Sequence, residues 1–194
     1  GEFIFKNSPS TFIPEEFTEE QLMIRDSVKD FANAHVFPNI KAIEKQEENV
    51  TADLLAIAGE MGFLGANIPE AYGGLALDTN TNSILTEEIG TTMSFSVSVA
   101  AHTGIGILPI FYFGTEEQKL QHLPRIARGE MRWCQGYSEP GAGSDLASLQ
   151  TKAVRDGDHF VINGSKIWTS YADESDYIYC LVRSNPNVGK RDGI

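Results

Sequence analysis

Residues 138–145, "SEPGAGSD", bring two hydroxyls, two carboxylates, two glycines and a proline into one short stretch. Such side chains can hold a ligand by hydrogen bonds, while the glycines let backbone amides approach it closely. A phosphate-cradling P-loop needs a lysine and a hydroxyl residue directly after its second glycine, and Ser144 and Asp145 stand there instead. A dinucleotide fingerprint needs a third glycine opening a helix; Leu146 takes that position and strand-like sequence follows. What remains is a strand end running into a tight glycine loop. It either forms a ligand-contacting wall or is a plain connector in which Ser144 or Asp145 caps a helical turn. Glu139 and Asp145 also invite a general acid–base reading as paired carboxylates.

Other chemistries have less support. Cys134 and Cys180 each sit in an apolar, strand-like run with no CxxC partner, the pattern of reduced, buried thiols. His35, His102, His122 and His159 are far apart and show no metal-ligand spacing. The net charge of −12 is spread along the chain, with no basic stripe of the kind that tracks a nucleic-acid backbone or an anionic membrane. The N-terminus "GEFIFKNSPS" lacks the basic and apolar regions of a secretion signal. A cytosolic or organelle-matrix setting is expected.

The elements that must position the glycine loop fall into two blocks. "TEEQ" at residues 18–21 is a capping box that opens a helix, with Ile24, Val28, Phe31 and Ala32 on one face and Pro38 interrupting or ending it. A second helix is expected from Thr51, turning Leu54, Leu55, Ala58 and Met61 inward and stopping near Gly62. "IPEAYGG" at residues 68–74 reads as a turn-rich connector, followed by a helix over residues 79–89. The apolar run over residues 93–114 predicts one or two buried helices broken around Gly104 and Gly106. It is long enough for a membrane span, but its serines, histidine, proline and glycines argue for a soluble core. A second capping box at residues 115–118 opens a helix that Pro124 and Gly129 bring to an end.

After Gly129 the hydrophobic period changes to two. "RWCQGYS" reads as a strand leading into the glycine loop. Residues 151–170 read as a three-strand meander with turns at Asp156 and Gly157 and at Asn163 and Gly164, and "YIYCLVR" as a further strand. About five strands are too few to close a barrel, so the second domain is expected to be incomplete.

"YSEPGAGSDLASLQTKAVRDGDHFVINGSKIWTS" closely resembles the middle β domain of the acyl-CoA dehydrogenases. "IRDSVKDFANAHVFPNI", "MGFLGANIPEAYGG", "LTEEIG" and "FGTEEQKLQHLPRIARGE" resemble the N-terminal helical domain of the same family, in the expected order. The resemblance implies an α+β fold: an extension over residues 1–17, a helical domain over 18–130 and the first part of an antiparallel β barrel or sandwich over 131–194. The family's C-terminal helical domain is absent from these residues. The family consists of FAD flavoproteins that introduce a double bond between the α and β carbons of acyl-CoA thioesters and pass electrons to an electron-transferring flavoprotein. The full-length protein is then expected to be a homo-oligomer, a tetramer, working in fatty-acid β-oxidation in the bacterial cytoplasm or the mitochondrial matrix, with no nucleic-acid partner and no integral membrane segment.

By this resemblance Gln135, Gly136, Tyr137 and Ser138 form one flavin-contacting segment, with backbone amides on the ring's polar edge and the Ser138 hydroxyl near its reactive nitrogen. Trp168, Thr169 and Ser170 form the second, with Trp168 beside the ring; the alternative for Trp168 is a half-buried strand aromatic in the core. Gly143 and Ser144 match the part of the loop that meets acyl-CoA, and Glu139 and Asp145 organise that loop rather than transfer protons. No glutamate matches the family's catalytic base, so no catalytic residue is assigned and the chain alone is expected to be inactive. The N-terminal half looks like the very-long-chain branch. There Ser94, Ser96 and Ser98 either leave room for an acyl tail or permit a close helix contact. An acyl-CoA oxidase and a non-catalytic flavin- or acyl-CoA-binding fragment are the alternatives.

Overall fold

The computed structural model describes residues 16–194; the extension assigned to residues 1–17 lies outside them except for its last two. Helix α1 (Glu19–Phe31) opens where the sequence places it. The Gln21 amide donates to the Thr18 hydroxyl at 3.2 Å, and the Thr18 amide donates to the Gln21 side chain at 3.1 Å. Two amides that the first turn leaves without helical partners are thereby satisfied. The buried face of α1 carries Gln21, Val28 and Phe31. Phe31 does not end the helix: it widens into a π turn (Ala32–Val36), and a 3-10 turn with Pro38 near its start (Phe37–Asn39) leads into the short α2 (Ile40–Glu44).

Helix α3 (Val50–Glu60) buries Leu54, Leu55 and Ala58. Met61 is exposed rather than inward, because it caps the helix just before Gly62 turns left-handed at φ 83°. Helix α4 (Thr79–Gly90) is capped by Asp78, which accepts from the Asn80 amide at 2.8 Å, and packs along α1. The apolar run forms α5 (Ser94–Ala100), a π turn (Ala101–Gly106) and α6 (Leu108–Phe113). As one helical stretch, Ser94–Phe113 has 20 residues and mean hydropathy 1.5, long and apolar enough to cross a membrane by length and composition.

In this fold the stretch serves two cores. Phe95 and Val99 pack with Phe31, Leu55 and Leu64, while Ile107 and Ile110 pack with Ile68, Leu123, Ile126 and Met131. Gly106 lets the π turn pass close to the sheet, since a Cβ there would lie 2.9 Å from the Trp133 carbonyl oxygen. Helix α7 (Glu116–Ala127) starts on its capping box at Thr115 but does not end at Pro124. Buried Leu123 and Ile126 anchor it on both sides of the proline, so packing outweighs the one backbone bond that proline removes.

The strands are β1 (Trp133–Gly136), β2 (Lys152–Asp156), β3 (His159–Asn163) and β4 (Tyr177–Cys180). β2 and β3 form an antiparallel hairpin, but its turn residues are Gly157 and Asp158, one later than the sequence suggests, because Asp156 pairs with His159. β1 pairs with β4 in parallel, from Trp133 against Tyr177 to Gly136 against Cys180, which corrects the all-antiparallel expectation. Cys134 is buried and Cys180 half-buried. The third meander strand does not form. After Gly164, which passes so close to Thr151 that a Cβ would lie 2.2 Å from its hydroxyl, the chain leaves the hairpin. It attaches to the glycine loop instead, with the Ile167 amide donating to the Ser138 carbonyl at 2.9 Å. The result is α+β: a helical block followed by a small, partly paired β unit.

Candidate cofactor site

Where β1 ends, an open cleft of about 340 Å³ separates the β unit from the helices. One wall is the face of α5 and its π turn, presenting Val97, Ala100, Ala101 and Ile105. The other wall carries Gln135, Tyr137 and Ser138 from the β1 end and Trp168 and Ser170 from the segment that crosses it. Five of the residues expected at the cofactor therefore meet on one surface. Gly136 is buried in the sheet, where its carbonyl accepts from the Leu181 amide, and neither it nor Thr169 is on the cleft wall. Gly143 and Ser144 lie exposed on the loop outside it. Ser94 and Ser98 face a neighbouring hollow and Ser96 another, so the helical wall is built from Val97, Ala100, Ala101 and Ile105 rather than from serines.

Trp168 is not a core aromatic. Its side chain is 84% exposed, and its backbone holds a left-handed φ of 60°, a conformation that costs a non-glycine residue roughly 1–2 kcal/mol. Tyr171, three residues on, also takes positive φ, at 67°. Its hydroxyl is hydrogen-bonded to the Ser98 hydroxyl on α5, and its ring packs against the helical core. The Ser175 hydroxyl donates to the Tyr171 carbonyl at 2.5 Å. Tyr171 thus pins the segment to the helices and leaves Trp168 projecting.

Glu139 and Lys166 tie the two β-side segments together. The Lys166 ammonium lies 2.9 Å from Glu139 Oε1 and donates to the Tyr137 carbonyl at 3.0 Å. The same carboxylate accepts the backbone amides of Gln150 at 2.6 Å and Thr151 at 2.9 Å. Burial alone would raise the Glu139 pKa. Hydrogen bonds from Thr151, the Gln150 amide and Lys166 outweigh it and hold the carboxyl down at about 2. So strong an acid is a poor proton acceptor, which fits an organising role. Asp145 bonds the Ser148 hydroxyl and Lys190, the latter at 2.6 Å, so the two carboxylates work as separate brackets rather than a pair. Arg183 closes the loop from behind, donating to the Ala147 carbonyl at 2.7 Å.

The cleft suits a flat aromatic cofactor with a polar edge. A bare indole stands on one side, and the Ser138 and Ser170 hydroxyls lie nearby. The Ser138 backbone amide has no backbone partner among the described residues. The family model for the acyl-CoA dehydrogenase N-terminal domain matches residues 18–130, and that for the middle domain matches residues 134–194. The chain belongs to the acyl-CoA dehydrogenase family. A probable acyl-CoA dehydrogenase of Bacillus subtilis is 42% identical over 167 residues, covering 85% of this chain and 28% of that protein. An acyl-CoA dehydrogenase complexed with FAD from Bacillus anthracis matches with a TM-score of 0.86 and 36% identity, covering 94% of this chain and 31% of that one. A chain in the structure described as the electron transferring flavoprotein of Acidaminococcus fermentans matches with a TM-score of 0.77 and 33% identity, covering 93% of this chain and 47% of that one. The chain thus spans less than half the length of each.

Within this chain, three organising residues are not marked out by the sequence. Lys166 lies inside a motif read only for its aromatic and hydroxyl members. Tyr171 follows that motif directly, and Arg183 ends an apolar run whose pattern indicates only a strand. A basic residue closing an apolar segment is the one signal that points to Arg183.

Proposed function

We propose that these residues form the cofactor-facing part of an FAD-dependent acyl-CoA dehydrogenase. The observation that carries this reading is Trp168, held bare in a left-handed backbone on the same cleft wall as Ser138 and Ser170. No packing role explains it. In this reading Gln135, Tyr137, Ser138, Trp168 and Ser170 hold the flavin ring. The apolar face of α5 shapes the space for an acyl chain, and Gly143 and Ser144 meet the coenzyme A arm. Bound FAD would supply the hydride acceptor. The protein's own groups orient it and donate hydrogen bonds where negative charge grows on reduction. An electron-transferring flavoprotein is the proposed electron acceptor, a pairing supported by the similar chain in the Acidaminococcus fermentans structure. The proposed setting is the bacterial cytoplasm or the mitochondrial matrix.

A second reading, a unit that binds flavin and acyl-CoA without turnover, is favoured by one fact. Among the described residues, no carboxylate lines the cleft, whereas removal of an α-proton requires a base. One experiment separates the two: anaerobic titration of the FAD-loaded protein with saturated acyl-CoAs of several lengths, followed by visible absorbance. Bleaching of the flavin band supports the dehydrogenase. A shifted but unbleached band supports the binding unit, and failure to take up FAD overturns both.

A further inference from the structure

Residues 166 and 167 grip two successive carbonyls of the glycine-loop segment, Lys166 through Tyr137 and Ile167 through Ser138. The Tyr137 carbonyl and the Ser138 amide belong to one peptide unit. A cation hydrogen-bonded to a peptide oxygen draws electron density from its N–H and makes it a stronger donor. Ser138 lines the cleft, and its amide is without a backbone partner among the described residues. Lys166 is itself 10% exposed and Glu139 6%, so neither charge is well screened by solvent. Glu139 Oε1 balances the ammonium and also accepts the Thr151 amide, while Oε2 accepts the Gln150 amide.

We infer that Lys166 is a positioning residue that tunes the flavin: by charging the Tyr137–Ser138 peptide it strengthens the Ser138 N–H toward the cofactor's reduced, more negative form. The inference rests on the reading of the cleft as a flavin site. Its physical content is directional. Removing the Lys166 cation weakens binding of reduced flavin more than oxidised flavin. Removing the Glu139 charge while keeping Lys166 does the reverse. A brace that only holds the loop in place would weaken both forms alike and leave their ratio unchanged.

The test measures the affinity of the protein for oxidised and reduced FAD, and the two-electron midpoint potential, in wild type, Lys166→Met, Glu139→Gln and the double variant. The double variant matters most, because each single change strands a buried charge and can prevent folding, whereas the pair removed together leaves none. In the double variant the reduced-to-oxidised affinity ratio is expected to fall about tenfold, which for a two-electron couple is about 30 mV. Where Glu139→Gln folds, the ratio rises. An unchanged ratio in the double variant, with flavin still bound, overturns the inference and leaves the site reading intact. Failure of wild type to bind flavin overturns both.

Discussion

Trp133 and Tyr177 stack across the parallel β1–β4 pair, their ring centroids 4.9 Å apart and their planes 13° from parallel. They are also register partners, so the stack lies over the first rung of the ladder. The His122 ring from α7 meets both edge-on, at 5.4 and 5.8 Å, and fastens the helical block to the sheet. Tyr177→Ala removes this pairing and is expected to lower stability by about 1–3 kcal/mol, part from lost burial and part from the aromatic contacts. Denaturant unfolding followed by tryptophan fluorescence reads the change, and a loss of less than about 0.5 kcal/mol, the range of an ordinary surface substitution, would show the stack to be idle.

Trp168 gives the opposite pattern. Because its side chain is exposed, Trp168→Ala is expected to shift unfolding by less than about 0.5 kcal/mol while weakening FAD binding by about tenfold, the loss of one aromatic contact. A large drop in melting temperature would mean that the indole packs in the fold after all.

Glu139 sets a pH dependence. Its folded pKa of about 2 lies below the ordinary value of 4.5. The stabilisation it provides is therefore complete above about pH 5 and is lost as pH falls through 4 toward 2. Between pH 7 and pH 3 it accounts for about 2 kcal/mol of lost stability. Unfolding free energies at those two pH values are expected to differ by that much less in Glu139→Gln than in wild type. Equal acid sensitivity would show the carboxylate to be unstabilised.

Two glycines separate packing from ligand access. A Cβ on Gly59 would lie 2.3 Å from the Arg128 carbonyl carbon and oxygen, so Gly59→Ala forces α3 away from the end of α7 and is expected to cost more than about 3 kcal/mol. At Gly143 a Cβ meets nothing, and the residue does not take positive φ. Gly143→Ala is expected to be neutral or stabilising by up to about 1 kcal/mol while weakening acyl-CoA binding. Calorimetric titration with an acyl-CoA and a thermal melt decide both halves, and unaltered acyl-CoA affinity would remove Gly143 from the proposed site.

The helical block was legible because its signals are local. Each capping box involves residues three apart, and both form with the reciprocal bonds that their sequences imply. The β unit was less legible because its organisation depends on partners far along the chain. "NG" at residues 163–164 is a strong hairpin signal, yet the crowding of Gly164 against Thr151 and the pull of Ser138 on Ile167 divert the chain. The direction of β4 could not be read either, since no pattern within "YIYC" distinguishes a parallel from an antiparallel neighbour. At the site, it was the family resemblance rather than residue type that marked out residues 135–138 and 168–170. The left-handed backbone that exposes Trp168 depends on Tyr171 reaching α5, a contact with no sequence signature.

The β1–β4 ladder joins strands separated by residues 137–176, and that span contains both the glycine loop and Trp168. Closing it means ordering a long loop before any rung forms, the kind of non-local step that slows folding. Each helix capping box, by contrast, closes over three residues. The glycine loop and Trp168 are therefore both held inside one long loop, whose closure is a single non-local pairing.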